Sequence, residues 1–238
     1  MKMRVLLFFG LVSIQLNAQT TNISITQSFS EYAKNPAAIN ASNRMIAFSQ
    51  KENTQGSPYL VNGWAKGSIV LRNSTMEEPT FVLNYDKVKE NLIVKLNDQN
   101  VLDVDMGEIV SFMLNDSANR TYKFVKLPGD HKKYLEELYK GNAYSLYKEV
   151  NTKFYKSDYE NKGLYEKGYK YDRYEDEFIY YIADKKNNLR AINNFSKKAI
   201  KRLSETLPIS KELLEEYKPT ADKEDFLIRL TKELNATL

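Results

Sequence analysis

Three features of the 238-residue chain predict an α+β fold. Short β-branched and aromatic runs fill the first half, hairpin-like pairs follow, and near the C-terminus the apolar period changes from two to 3.6. The strands are expected to form an antiparallel meander, a small barrel or sandwich, followed by β-hairpins packed with C-terminal helices. Once an amino-terminal signal is set aside, about 220 residues remain, enough to fold by burial of a single core.

Residues 1–18 read as a secretory signal peptide. Lys2 and Arg4 form the charged start, residues 5–12 the apolar stretch, and Leu16-Asn17-Ala18 places a small residue before Gln19. The apolar stretch falls short of a membrane span, and no run of 18 or more apolar residues occurs later, so no transmembrane segment is expected in the mature chain. An exported protein, periplasmic or extracellular, is expected. It is not expected to be a lipoprotein, because bacterial lipidation needs a cysteine thiol and the chain has no cysteine. Removing Lys2 and Arg4 takes the formal charge from +4 to +2, too even a balance to create a field for nucleic acid.

Residues 19–55 are rich in Asn, Ser, Thr and Gln and read as a mobile polar leader with a short apolar run at Met45-Ile46-Ala47-Phe48. From 56 to 127 a β-rich subdomain is predicted. Its six strands are 68–72, 80–85, 92–96, 101–104, 109–114 and 121–126, separated by turn-forming clusters such as Asn73-Ser74-Thr75 and Asn115-Asp116-Ser117. Phe81, Leu83 and Tyr85 alternate onto one face, as do Leu92, Val94 and Leu96.

Leu127-Pro128-Gly129-Asp130 marks a turn and a candidate boundary, with residues 128–238 forming hairpins plus C-terminal helices. Residues 134–139 fit helical spacing as well, but Lys140-Gly141-Asn142-Ala143 suits a hairpin. Gly141 at the first central position of a type II′ turn would set Tyr139 opposite Tyr144. A second hairpin joins 178–183 to 189–192. Ser196, Ser210 and Asp222 are candidate caps of three helices, the last carrying Phe226, Leu227, Leu230, Leu234 and Leu238 on one stripe.

The run Gly56-Ser57-Pro58-Tyr59-Leu60, followed by Trp64 to Leu71, and the later Leu138-Tyr139-Lys140-Gly141 and Leu146-Tyr147-Lys148, resembles a group of exported, functionally uncharacterised proteins of Bacteroidota. The resemblance implies an envelope or secreted location and a strand over 134–147; it implies no catalytic residues. Pro58 also has a local meaning, since it forces Ser57 out of the helical region and extends the chain into the first strand.

Candidate chemistry is sparse. His131 is the only histidine and reads as a surface side chain beside Asp130; with no cysteine, a conventional zinc site is not expected, nor is any other metal or cofactor. Asp103, Asp105 and Glu108 could offer oxygen ligands but lack the count and spacing of a calcium loop. Asp172, Glu175, Asp176 and Glu177 read as a solvated acidic loop, and the basic residues Lys197, Lys198, Lys201 and Arg202 as a solvated helix face. Tyrosine is the compositional oddity, with twelve of seventeen between Tyr134 and Tyr181. Strand formation accounts for many of them. Tyr165, Tyr169, Tyr171 and Tyr174, near Gly163 and Gly168, are the candidate ligand-binding set, because exposed rings can stack on a glycan or an envelope protein. The expected function is therefore a non-enzymatic cell-envelope binding or interaction module. A carboxylate-dependent glycan hydrolase using the acidic segment, or a structural envelope subunit, is the alternative.

Overall fold

The computed structural model describes residues 53–72, 81–95, 97–98, 101–104, 106–127, 133–161, 163, 165–220 and 222–236. The signal segment, the leader before Asn53, and His131 lie outside them. The fold is α+β and rich in strand. Its strands are β1 (Thr54–Gln55), β2 (Ala65–Leu71), β3 (Phe81–Asp86), β4 (Asn91–Lys95), β5 (Val101–Asp103), β6 (Ile109–Asn115) and β7 (Thr121–Lys126), then β8 (Tyr134–Lys140), β9 (Tyr144–Tyr155), β10 (Glu160–Asn161), β11 (Glu166–Lys167), β12 (Asp172–Asp184) and β13 (Leu189–Ile192). The helices are α1 (Lys197–Leu203), α2 (Lys211–Glu216) and α3 (Lys223–Ala236).

All six strands expected in the first half form, within a few residues at their ends. Strands β2 to β5 run as an antiparallel meander, after which β6 returns to the other edge of β2 and the sheet continues through β7, β8, β9 and β12. The pairing of β7 with β8 carries the sheet across the candidate boundary that the sequence marks after Leu127. A flat sheet would hold β3 and β7, three strand spacings apart, roughly 14 Å from one another. Yet the rings of Tyr85 on β3 and Phe124 on β7 are 5.3 Å apart, and Phe112 on β6 lies 5.2 Å from Tyr85, 4.9 Å from Phe124 and 5.4 Å from Tyr134. The sheet is therefore strongly curled around an aromatic interior.

Residues 53–60 run from β12 to β3, strands that are not neighbours in the sheet. Asn53 accepts from the Asp172 N–H (3.0 Å) and β1 pairs in parallel with the start of β12. A few residues later Leu60 donates to the Tyr85 carbonyl (2.9 Å), and Pro58 accepts from the Lys87 N–H (2.8 Å). The last two residues of the polar leader are thus strand, and Gly-Ser-Pro-Tyr-Leu is the link from β12 to β3. Gly56 has φ of +73°, and a Cβ there would collide with the Tyr174 carbonyl. Fully buried Asn84 holds the loop that follows, donating to the carbonyls of Val61 (2.9 Å) and Gly63 (2.7 Å).

The hairpin of β8 and β9 forms, but in a different register from the expected one. Lys140 pairs with Ser145 and Tyr139 with Leu146, so Tyr139 does not face Tyr144. Gly141 donates to the Tyr144 carbonyl (3.1 Å) and is not among the glycines with positive φ, which removes the type II′ geometry. The cause is a distant helix. Asn235 of α3 accepts from the Ala143 and Tyr144 N–H groups (2.8 and 3.1 Å) and donates to the Tyr144 carbonyl (2.9 Å). A Cβ at position 141 would strike that side chain, so glycine is needed here for room, not for φ.

The helices start where the sequence predicts, with side chains of Ser196, Ser210 and Asp222 accepting from the N–H groups of Ala199, Leu213 and Asp225. Their apolar faces meet Leu146 of β9, Tyr180 and Ile182 of β12 and Ile192 of β13 in one cluster with Ile200, Leu213, Tyr217, Phe226, Leu227, Leu230 and Leu234. Each such large side chain contributes roughly 1.5–3 kcal/mol when fully buried.

Candidate functional site

The long antiparallel pair β9–β12 positions the candidate tyrosines. Its register runs from Asp184↔Tyr144 to Arg173↔Tyr155, and only the root is covered on both faces. There, Leu146, Tyr180 and Ile182 face the helices, while Tyr147 and Ala183 face Leu127 and Leu135. Period-two alternation continues outward past both covers, so Phe178 is 47 % exposed and Phe154 43 % exposed. The acidic segment corrects the sequence expectation. Asp172, Glu175, Asp176 and Glu177 lie in β12 rather than in a loop: Tyr174, Phe178, Tyr180 and Ile182 make one strand face, which Asp172 and Asp176 share, and Glu175 and Glu177 lie on the other.

The outer arm carries an aromatic group on each face. Phe154 and Tyr174 are cross-strand partners with ring centroids 4.9 Å apart. On the opposite face the Arg173 guanidinium lies between the rings of Tyr169 and Tyr155, at 3.6 and 4.7 Å from their centroids, and is ion-paired with Glu175. Tyr171, 37 % exposed, has the Lys170 ammonium 5.9 Å from its ring centroid, and Tyr165, at 78 %, is the most exposed aromatic among the described residues. The four expected residues are therefore brought to one arm but play different parts: Tyr169 and Tyr174 are held by ring contacts, whereas Tyr165 and Tyr171 present their surfaces outward.

Polar contacts shape the tip. The Ser157 hydroxyl lies 3.0 and 3.1 Å from the carbonyls of Tyr169 and Lys170, its N–H donates to Asp172 (2.7 Å), and the Tyr169 N–H donates to Asp158 (2.7 Å). Gly168 takes φ of +85° where a Cβ would meet the Asp158 carbonyl. Sequence reasoning missed this Ser157–Asp158 brace, as well as Phe154, Phe178 and the Arg173 stack. The signal for β12 was present in the alternation from Tyr174 to Ile182, masked by the charged residues between.

The carboxylates are engaged in cross-strand and inter-element pairs. Asp176 binds Lys87 (2.6 Å) and accepts from Thr152 (2.6 Å), and Glu177 binds Lys153 (2.7 Å). Asp172 and Asp176 occupy one strand parity, Glu175 and Glu177 the other. Asp103 is exposed on β5; Asp105 and the Glu108 side chain lie outside the described residues, among which no three-residue metal-ligating group is present.

At the root, Lys148 lies 2.7 Å from Glu136 and 2.9 Å from Glu224 at the start of α3. Burial raises the Glu136 carboxyl above its usual range, opposed by the Lys148 charge. Burial pulls Lys148 down, but its two carboxylates outweigh this and leave its ammonium raised. The Tyr180 hydroxyl beside them is pushed up to about 12, by burial first and then by Glu224. This is a polar bolt between sheet and helix.

Comparison with known proteins finds no matching family model, no similar curated protein and no similar solved structure.

Proposed function

We propose that this protein is an exported, non-enzymatic binding module of the bacterial cell envelope, related to the Bacteroidota group it resembles, and that the outer β9–β12 arm contacts the ligand. The supporting observation is a concentration of exposed rings. Of the eight large apolar side chains exposed among the described residues, five are Phe154, Tyr165, Tyr169, Tyr171 and Phe178, all on this pair or its connecting loop. A set of outward rings on a braced backbone suits stacking against the flat faces of a glycan, at roughly 0.5–1.5 kcal/mol per ring. Preorganisation by Ser157 and Asp158 lowers the ordering cost of binding.

The test uses Tyr165→Ala/Tyr171→Ala, since among the described residues Tyr165 has no ring contact and Tyr171 only the neighbouring Lys170 ammonium at 5.9 Å, while Tyr169 is held at 3.6 Å by Arg173 and Tyr174 by Phe154. Retention of the purified mature protein on isolated envelope glycan should fall roughly tenfold with an unchanged melting temperature. Unaltered retention would reject the arm as the contact surface. Intact-mass analysis of protein from the native envelope checks export separately, with the chain expected to begin near Gln19.

A further inference from the structure

A second surface, on the helical layer, has different chemistry. Between α1 and α2 lies an open cleft of about 400 Å³, lined by Lys197, Lys201 and Ser204 from the first helix and its end, and Lys211, Leu214 and Glu215 from the second. Three lysines thus line one concavity together with a single glutamate. None of the three lysines, nor Glu215, makes an ion pair or hydrogen bond through its side chain with another described residue. This contrasts with the β9–β12 arm, where Lys87 and Lys153 are each held within 2.7 Å of a carboxylate. Leu207 and Leu213 are buried beneath the segment, so the two helices that present the lysines are tied to the common core. Ser204 uses its hydroxyl hydrogen on the Lys201 carbonyl (2.7 Å), which tightens the end of α1 at the cleft wall.

An excess of cationic over anionic side chains around a concave site, here three lysines to one glutamate, raises the local anion concentration. The volume lies in the range of small-molecule pockets and exceeds what a bare oxyanion occupies. Leu214 adds an apolar wall beside the lysines. We propose that this cleft binds a small soluble molecule bearing a phosphate monoester, the dianion held by Lys197, Lys201 and Lys211 and the uncharged remainder lying along Leu214. The proposal is independent of the aromatic arm and of its ligand.

The experiment titrates the mature protein with glucose 6-phosphate, glucose, inorganic phosphate and vesicles containing phosphatidylglycerol, at 150 mM salt, following amide shifts of Ala199, Ser204 and Leu214 by NMR. Saturable shifts with glucose 6-phosphate, weaker ones with inorganic phosphate and none with glucose are expected. Lys197→Gln/Lys201→Gln/Lys211→Gln should weaken binding at least tenfold, whereas Lys185→Gln/Lys186→Gln at the β12–β13 turn should leave it unchanged. Melting temperatures of both variants verify folding; should the triple variant melt early, the single change Lys201→Gln must still weaken binding. Absence of saturable shifts, equal loss in the Lys185/Lys186 control, equal binding of glucose, or binding to vesicles alone would each overturn the proposal.

Discussion

Two groups of aromatic residues in this protein have similar composition and opposite fates. Tyr85, Phe112, Phe124 and Tyr134 are almost completely buried, with rings in mutual contact and the Tyr134 hydroxyl 2.7 Å from the Met106 and Ile109 carbonyls. Phe154, Tyr165, Tyr169 and Tyr171 are exposed. Both groups include strand residues in regular alternation, so neither residue type nor local structure separates them. Curvature does: β3, β6, β7 and β8 bend around their rings, whereas the outer part of β9–β12 runs beyond the helices on one face and the Leu127–Leu135 cluster on the other. Ring density in a sequence therefore measures strand propensity, and only the surrounding layers decide whether the rings form core or surface.

The largest effect should come from breaking the interior group. Phe112→Ala removes the ring that touches all three of its neighbours and should cost about 3–5 kcal/mol, a loss of about 10 °C in melting temperature by calorimetry. Next is the bolt at the boundary between the two regions. Lys148→Met leaves the buried Glu136 without its nearest cation and should cost about 3 kcal/mol at neutral pH. Glu136 already has a raised pKa, and without Lys148 it rises further. Protonation on acidification then neutralises the stranded carboxylate, so the difference from wild type should shrink as the pH falls through the folded-state value; denaturant melts at pH 7 and pH 5 measure this. The intact Lys148, whose own pKa is raised, adds stability that persists below its unfolded value near 10.4 and is lost as pH rises through the folded one.

A smaller effect is expected from Asn235→Ala, which frees the Ala143 and Tyr144 N–H groups at the hairpin turn. It should cost about 1–2 kcal/mol and increase amide exchange at Ala143 and Tyr144. The smallest belongs to the exposed group: Tyr165→Ala should change stability by less than about 0.5 kcal/mol. A loss as large as that of Phe112→Ala would place the ring in a core and erase the contrast between the regions.

Much of this fold could be read in the chain because it is encoded locally. The six strands of the first half, the hairpin around residues 184–188 and the caps at Ser196, Ser210 and Asp222 depend on alternation, turn chemistry and side chains bonding their own backbone neighbours. The acidic stretch of β12 was hidden because carboxylates have low strand propensity. Their pairing with Lys87 and Lys153 comes from residues 89 and 24 positions away. The aromatic character of the candidate surface was legible, but the division of its four tyrosines into two held and two presented was not, since it depends on Phe154 arriving across the sheet beside Tyr174 and on the loop turning Tyr169 onto the Arg173 guanidinium.

The sequence by itself determined the six strands of the first half, the hairpin around residues 184–188, the helix starts at Ser196, Ser210 and Asp222, and the abundance of aromatic side chains beyond residue 134. Tertiary structure alone decided the curl that encloses Tyr85 and Phe112, the link through Gly56 to Leu60, the register imposed by Asn235, and the gathering of Lys197, Lys201 and Lys211 around one cleft. The physical reason is range: periodicity and caps act over a few residues, whereas burial, register and charge convergence are set by groups that meet only after the chain has folded back on itself.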